Sequence, residues 1–456
     1  MPRKDLGDIA AGRLSADALA QNFDDISPPL DRQAALIAAQ RCYYCYDAPC
    51  IQACPTSIDI PTFIQGISTD NLKGAALEIL GANILGGMCA RVCPTEILCE
   101  GACVRNKDSH EPVAIGALQR HATDWVFEQN AELFHRGADT GRHVAVVGAG
   151  PAGLSCAHAL ARLGHRVTVF DANAKPGGLN EYGIAAYKVP GFAQREIDWL
   201  LSIGGIEMRC DARLGGNLKL EDLRRDHDAV FLGVGLGSVN ALGIADENIP
   251  GVRNAVDFIA ELRQSGDLRK LPVGRRVVVI GGGNTGIDAA VQSKKLGAES
   301  VHLIYRRGAA SMSATVVEQA FAKEMGVTIV EWAAPKRLIA QDGALAAIEF
   351  EYTQLDENGR LLGTGDTVQF AADTVLKAIG QLLVSPKDAG FGADLLQLNK
   401  GRIVVNDEFA TSVHGVWAGG DCVGGKVDLT VQAVEDGKRA AHAIDRTLRQ
   451  QTTRAA

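Results

Sequence analysis

Eight cysteines lie between Cys42 and Cys103 in two groups of four, while Cys156, Cys210 and Cys422 stand alone. The first group is Cys42, Cys45, Cys50 and Cys54, followed at once by Pro55. The second is Cys89, Cys93, Cys99 and Cys103, with Pro94 after Cys93. Thiolates are the soft, charged donors that both iron–sulfur clusters and zinc take. Structural zinc favours two close pairs a dozen or more residues apart. Here only Cys42 and Cys45 make such a pair, and no histidine lies between the first and last of the eight. Two-cluster ferredoxins carry a related run in which the fourth cysteine, before a proline, serves the other cluster. By that logic Cys54 joins the second group. The first then holds three thiols and lacks a fourth ligand, while the second holds a surplus. Two 4Fe–4S clusters fit this pattern better than zinc, and the rest of the chain strengthens the preference.

Two further stretches have types and spacing suited to chemistry. "HVAVVGAGPAGLSCAHALARLGHRVTVFDAN" reads as strand, glycine turn, helix and strand, with Gly148, Gly150 and Gly153 in the GxGxxG pattern. The first glycine makes the turn, the second lets the backbone approach a pyrophosphate, and the third lets helix and strand pack closely. Phosphates then sit on the free N–H groups of the helix N-terminus. Asp171, at the end of the second strand, is placed to bond ribose hydroxyls. "RRVVVIGGGNTGIDAAVQSKKLGAESVHLIYRR" repeats the plan with Gly281, Gly283 and Gly286. Arg306 and Arg307 stand where the first unit has Asp171. A guanidinium there can pair with a 2′-phosphate that a carboxylate would repel, although an arginine pair at a strand end can also be simply solvated. The first unit suits FAD and the second NAD(P)H. A third glycine turn, "GGDCVGG" at 419–425, places Asp421 before a helix that begins near Thr430. That carboxylate can bond ribityl or phosphate oxygens, and the helix dipole favours a reduced, anionic flavin. An ordinary acidic turn is the plain alternative. The three isolated cysteines form no CxxC pair, which removes a disulfide-reductase reading.

These residues must be held by a sizeable frame. The 456 residues suit about three domains of roughly 150 each. A hydrophobic share of 46% with 22% charged residues matches an ordinary globular core. Net charge of −8 argues against a nucleic-acid partner. No apolar run approaches the ~20 residues that span a bilayer, and the opening "MPRKDLGDIAAGRLSADALA" lacks the apolar stretch of a secretory signal. Cytoplasm is the expectation, where a dense cysteine block points to metal rather than to disulfides. Residues 1–135 read as mostly helical, with apolar spacing in "DRQAALIAAQ" and "NLKGAALEILGANIL", and "RGADTGR" (136–142) reads as a linker. The fold expected is a mostly α-helical N-terminal iron–sulfur domain followed by α/β. It has two Rossmann-like dinucleotide-binding domains, the second inserted in the first. The boundaries are 1–135 for the cluster domain, 141–240 and 382–456 for the flavin domain, and 241–381 for the nicotinamide domain.

Over nearly its full length the sequence resembles a known flavin/iron–sulfur module. "CYYCYDAPCIQACPTSIDIPTFI", "CARVCPTEILCEGAC", "GAGPAG", "GGGNTGID", "YRRG", "KAIG" and "AGGD" occur in the module's order. It is shared by dihydropyrimidine dehydrogenase, as its N-terminal half or a separate bacterial subunit, and by the glutamate synthase small subunit. "DAPC" and "CPTSIDI" look closer to the former, as does Gln119 in "PVAIGALQRHATDW", where the glutamate synthase side resembles a Glu site. The resemblance implies that Gln119 completes the first cluster with Cys42, Cys45 and Cys50. The second is then Cys54, Cys93, Cys99 and Cys103, with Cys89 spare. Without the resemblance, Gln119 reads as a helix-surface glutamine.

The resemblance further implies FAD contacts at Ala149, Gly150, Pro151, Ala152, Asp171, Gly178, Leu179, Lys188, Leu214, Gly420, Asp421 and Thr430. Nicotinamide contacts are implied at Gly282, Gly283, Asn284, Thr285, Arg306, Arg307, Ala378, Ile379 and Gly380. Two positions depart from the eukaryotic pattern. Lys188 replaces an Arg, keeping charge without the planar fork. Ser313 stands where a third phosphate-binding Arg is found, which weakens the case for NADPH over NADH. The expected activity is electron input: NAD(P)H reduces FAD, and two 4Fe–4S clusters pass electrons to a partner. That partner, an FMN/iron–sulfur subunit in a heterotetramer, would reduce uracil or thymine at the 5,6-bond. No side chain of this chain is expected to act as acid or base. The chain stops soon after its flavin region closes, so the expectation is the input subunit alone. Glutamate synthase small subunit is the alternative, and a nucleotide-binding redox sensor without turnover is the alternative of another class.

Overall fold

The computed structural model describes residues 8–384, 396–424 and 428–455, with side chains to 451. Residues 1–7 of the opening stretch, and Gly425 of the third glycine turn, lie outside the described residues.

The cysteine region is helical. Arg32–Ala39 starts behind Asp31, whose carboxylate accepts the Ala34 N–H at 2.7 Å, and Leu72–Ala82 starts behind Asn71 in the same way. Such caps satisfy amide groups that the first helical turn leaves free. Helices α1 (Gly86–Val92) and α2 (Ile115–Gln129) follow. The first nucleotide unit runs β1 (His143–Val147), α3 (Pro151–Arg162) and β2 (Arg166–Phe170). It continues with α4 (Phe192–Leu201), β3 (Ile206–Arg209) and β4 (Ala229–Leu232). The second comprises β5 (Val252–Asn254), β6 (Arg276–Ile280), α5 (Asn284–Lys295), β7 (Ser300–Ile304), β8 (Thr328–Val330) and β9 (Thr374–Lys377). The chain then returns with β10 (Val416–Ala418) and the long helix α6 (Thr430–Ala455).

Two compact units result. The larger contains Ser27–Glu181, Gly191–Gly237 and Leu383–Ala456. Its five parallel strands run β10-β4-β1-β2-β3, so the C-terminal return supplies an edge strand of the first sheet. Inner strands such as β1 and β4 are buried almost throughout, as parallel strands covered on both faces must be. Helices α3 and α6 touch so closely that a Cβ on Gly437 would stand 2.0 Å from the Ala152 carbonyl oxygen. Phe63, Ile64, Ile79 and Leu80 are fully buried beneath the cysteine loops, and each such side chain contributes about 1.5–3 kcal/mol.

The smaller unit contains Met1–Ile26, Tyr182–Pro190 and Ser238–Leu382. Its parallel sheet runs β8-β7-β6-β9-β5, and a three-stranded antiparallel sheet is built from 333–341, 344–355 and 361–371. The insertion of one dinucleotide fold in the other is therefore present. The boundaries differ from those expected in two places. Residues 8–26 fold on the smaller unit rather than with the cysteine helices: Ile9–Ala10 pairs with Val273–Gly274, and Leu19 and Phe23 join that unit's core. Residues 182–190 do the same, with Tyr187 fully buried and its carbonyl accepting the Ile26 N–H at 3.2 Å. Apolar burial decides both. Neither segment has a periodicity long enough to reveal its partner in sequence.

Candidate functional site

The loop through Cys42 and Cys45 leads into the short helix Pro49–Ala53, which carries Cys50 and is C-capped by Cys54. Cys42, Cys45, Cys50 and Cys103 line one cavity whose other walls include Ala48, Ile60, Ile64 and Ile115. This changes the expected ligand sets, because Cys103 stands with the first three thiols. The chain after Cys103 is drawn back to residue 41: Arg105 Nη1 donates to the Arg41 carbonyl at 3.1 Å, and Arg41 Nη1 donates to that of Pro112 at 3.0 Å. The Arg105 guanidinium also lies 4.7 Å from the Tyr43 ring centre. Spacing along the chain carries no trace of this return.

The other thiols form a second neighbourhood. Cys93 C-caps α1, its N–H bonded to the Cys89 carbonyl at 2.9 Å, and its charge environment is set by Cys89, Cys99 and Cys54. Gln119 belongs on this side too. It is buried on α2, and its Nε2 donates to the Gly86 carbonyl at 2.7 Å, at the start of the helix that carries Cys89 and Cys93. Its Oε1 has no hydrogen-bond partner among the described residues. Burial pushes the Cys50 thiol up to about 11 and raises those of Cys42 and Cys99. Clustered thiols in dry surroundings are neutral on their own and ionise when a metal core binds them. Among the described residues no three His, Cys, Asp or Glu side chains converge on a single-ion position. A four-iron core, which holds its ligands farther apart, suits the donor set better than zinc.

In the first glycine turn Gly148 has φ +99°, and a Cβ there would stand 2.2 Å from the Gly233 oxygen. Gly150 caps α3 without a side-chain bond and Pro151 opens the helix, so the first amide groups stay free for phosphate. Gly153 must be glycine, since a Cβ would stand 1.8 Å from the Gly148 oxygen. The loop at Gly177 and Gly178 crosses this turn: Gly177 N–H bonds the Ala149 carbonyl at 2.8 Å, and a Cβ on Gly178 would reach within 2.7 Å of the Gly150 Cα. Leu179 beyond it is exposed, whereas Leu214 is buried. The Asp171 carboxylate is buried and accepts the Ala149 and Asn173 N–H groups at 2.7 and 2.8 Å. Burial raises its pKa against those bonds. It thus buttresses the glycine turn, and each oxygen keeps a lone pair for a ribose hydroxyl. Gly420, at φ +74°, lies against Ala152. Burial pushes the neighbouring Asp421 up to about 6, with Asp428 adding to the shift. Thr430 Oγ1, at the start of α6, donates to Asn180 Oδ1 at 3.0 Å.

Lys188 is engaged elsewhere than expected. It belongs to the smaller unit, where its Nζ lies 2.9 Å from Asp288 and 2.6 Å from Glu318. Burial alone would lower its pKa, and the two carboxylates outweigh that and raise it. In the same unit Gly281 packs on Ala378, where a Cβ would stand 2.1 Å from the Ala378 oxygen. Gly282 lies under the Tyr305 ring, and its carbonyl accepts the Ala314 N–H at 2.9 Å. Gly283 caps α5 beside the Ser313 hydroxyl, and Asn284, Thr285 and Gly286 form the first turn. Asn284 Oδ1 is buried with no hydrogen-bond partner among the described residues, an orphan acceptor in the turn where a nucleotide is expected. Arg306 and Arg307 follow β7, and neither guanidinium has a partner among the described residues. Ile379 and Gly380 are held by Asn240, whose Nδ2 donates to the Ile379 carbonyl at 3.1 Å. Sequence reasoning missed Asn240, Asp288 and the buried Glu196, whose carboxylate caps α1. Asp288 closes the quoted "GGGNTGID" and was in view as motif; the others had no local signal.

Residues 19–131 match the family described as dihydropyrimidine dehydrogenase domain II, 4Fe-4S cluster, and residues 142–437 match pyridine nucleotide-disulphide oxidoreductase. The chain is similar to the NAD-dependent dihydropyrimidine dehydrogenase subunit PreT of Escherichia coli O157:H7, 35% identical over 93% of this chain and 97% of that one. It is also similar to the glutamate synthase [NADPH] small chain of Halomonas elongata, 33% identical over 96% of each. Among solved structures, FprA of Mycobacterium tuberculosis in complex with NADPH superimposes with TM-score 0.57 at 18% identity, covering 69% of this chain and 86% of that one. Thioredoxin reductase of T. acidophilum gives 0.51 at 21%, covering 67% and 99%. At such identities these two show the fold alone.

Proposed function

The chain belongs to the pyridine-nucleotide oxidoreductases that carry a dihydropyrimidine dehydrogenase iron–sulfur domain, the family of the PreT subunits, and on that premise we propose that it is the electron-input subunit of an NAD(P)-dependent dihydropyrimidine dehydrogenase. Bound FAD would supply a hydride acceptor for NADH or NADPH, and two 4Fe–4S clusters would supply one-electron carriers. The residues of this chain supply binding, orientation and electrostatics. The amides of Gly148–Gly153 and the α3 N-terminus hold the flavin pyrophosphate, Asp171 its ribose, and Asp421 with Thr430 the far end of the cofactor. Gly281–Gly286, Asn284 and the Ala378–Gly380 turn hold the nicotinamide nucleotide, with Arg306 and Arg307 at its adenosine ribose. Cys42, Cys45, Cys50 and Cys103 hold one cluster. Cys54, Cys93, Cys99 and Gln119 would hold the other, Gln119 offering its Oε1 while its Nε2 donates to the Gly86 carbonyl.

The partner is a second subunit with FMN and iron–sulfur clusters, in a heterotetramer, that reduces the 5,6-bond of uracil or thymine. The observation that carries this reading is the presence in one chain of two thiol groups and two glycine-turn cradles. Gln119 and the identity to PreT favour it over the glutamate synthase role. Among the described residues no single helix is long and apolar enough to cross a membrane. Purification from the native cell with the bound partner, followed by assay, tests the proposal. NADH- or NADPH-dependent loss of uracil is expected. Turnover of 2-oxoglutarate with glutamine, and none of uracil, would overturn it.

A further inference from the structure

Lys188, Asp288 and Glu318 form an ion triad inside the smaller unit that the nucleotide site proposed above leaves without a task. The Lys188 side chain is 11% exposed, and its Nζ lies 2.9 Å from Asp288 and 2.6 Å from Glu318. The two acids come from the two walls of the second glycine turn. Asp288 stands one helical turn after Asn284 on the same face of α5. Glu318 stands in the first turn of the helix Val316–Glu324, which is N-capped by Thr315. The residues leading into that helix lie on the glycines. The Ala314 N–H donates to the Gly282 carbonyl at 2.9 Å, and a Cβ on Gly283 would stand 3.2 Å from the Ser313 hydroxyl oxygen.

The segment that carries Lys188 is itself laid along α5. Asp288 Oδ2 accepts the Ala185 N–H at 3.3 Å, Gln292 Oε1 accepts the Ala186 N–H at 3.0 Å, and Lys295 Nζ lies 5.0 Å from the Tyr187 ring centre. Positions 288, 292 and 295 share one helix face. Arg263 Nη1 donates to the Val189 carbonyl at 3.1 Å and fixes the far side. The ammonium is therefore held at a set point between two helices.

We propose that Lys188 is a positioning residue for the nicotinamide nucleotide, a cross-brace whose two ion pairs fix the spacing of the helices that frame the Gly281–Gly286 turn. This rests on the nucleotide site proposed above. An ammonium is a compact charge with three donors, able to serve two carboxylates at once. Without it, two acids that converge on one point repel each other where little water screens them. That repulsion acts one turn from the amides and the Asn284 oxygen that would meet the nucleotide. A binding constellation depends on such supporting contacts for its fit. Because the brace acts on the cradle, its loss falls on nucleotide affinity rather than on the rate of the bound complex.

The test uses the whole flavin-loaded protein, prepared without oxygen, as wild type, Lys188→Met, Lys188→Arg and Glu318→Ala. Calorimetric titration with NAD+ and NADP+, well below each melting temperature, reads affinity. Reduction of a tetrazolium dye by NADH and NADPH reads KM and kcat, and flavin content is measured on the same samples. Lys188→Met should weaken the binding of both nucleotides about tenfold, less than the roughly hundredfold that a 1 Å misplacement can cause. KM should rise in step, with kcat changed by no more than about twofold. Lys188→Arg, which keeps the charge, should recover most of the loss. Glu318→Ala cuts one arm of the brace yet leaves Lys188 paired with Asp288, so no buried charge is stranded, and it should weaken both nucleotides in the same direction. Unmoved affinity in Glu318→Ala would overturn the proposal whatever Lys188→Met does. A Lys188→Met protein that loses flavin while binding nucleotide as wild type does would make the lysine a flavin contact and overturn it equally. Wild-type protein that binds neither nucleotide would sink the functional reading, and the brace with it.

Discussion

Glu196, on α4, is 1% exposed, and one of its oxygens accepts the N–H groups of Gly87 and Met88, the first amides of a helix that has no side-chain cap of its own. Replacing it with alanine strands two buried donors. At about 1–3 kcal/mol for each unsatisfied group, Glu196→Ala costs roughly 2–6 kcal/mol, while Glu196→Gln keeps an acceptor oxygen and costs little. The pair also has a pH signature. Burial pushes the carboxyl from its ordinary 4.5 up to about 8, against the Met88 N–H and the Arg91 charge. A carboxyl whose folded pKa lies above its unfolded value contributes fully below pH 4.5, and that contribution is lost as pH rises through 8. The upper bound is about 5 kcal/mol. Glutamine has no such dependence, so the Glu196→Gln protein should gain on wild type progressively from pH 4.5 to 8. Thermal unfolding of anaerobically prepared protein across that range, with iron content on the same samples, provides the check. An alanine variant that melts like wild type would refute the capping role, and a glutamine variant that tracks wild type at every pH would refute the neutral carboxyl.

Other substitutions probe the remaining features. Cys42→Ser and Cys103→Ser should erase the same paramagnetic signal, and Gln119→Ala the other; loss of different signals in the first two would restore the grouping expected from spacing. Gly153→Ala drives a Cβ to 1.8 Å from the Gly148 oxygen, whereas Gly286→Ala meets the Gly281 oxygen at 3.2 Å. The first should abolish flavin retention, the second should weaken nucleotide binding only partly, and flavin content with NADH titration separates them. Arg306→Ala should raise KM for NADPH at least about tenfold, one charge-assisted contact being worth about 1.5–3 kcal/mol, with KM for NADH unchanged. An equal rise for both would place the guanidinium off the 2′-position.

Much of this was legible because it is local. The two strand–glycine–helix units, the returning strand at Val416–Ala418 and the family all follow from contiguous motifs. What escaped depends on contacts between distant segments. Cys103 joins the first thiols only because Arg105 and Arg41 draw the chain back, and spacing cannot encode that. Gln119 is set by how α2 lies along α1. Lys188 was implied as a flavin contact by the resemblance alone, and no local signal shows that two carboxylates a hundred or more residues on hold it in the smaller unit. The antiparallel sheet of 333–371 was missed because its outer strand is mostly exposed and lacks a clean apolar alternation.

The account's central claim is that thiols and glycine turns of one chain serve a single electron route. Its most direct test is addition of NADH or NADPH, under argon, to protein purified without oxygen, with the flavin and cluster absorbance followed together. The account predicts brown protein with iron and sulfide for two four-iron clusters, whose flavin band bleaches on addition and whose clusters then reduce. Colourless protein, or zinc in place of iron, or a flavin band that neither nucleotide changes, would contradict it.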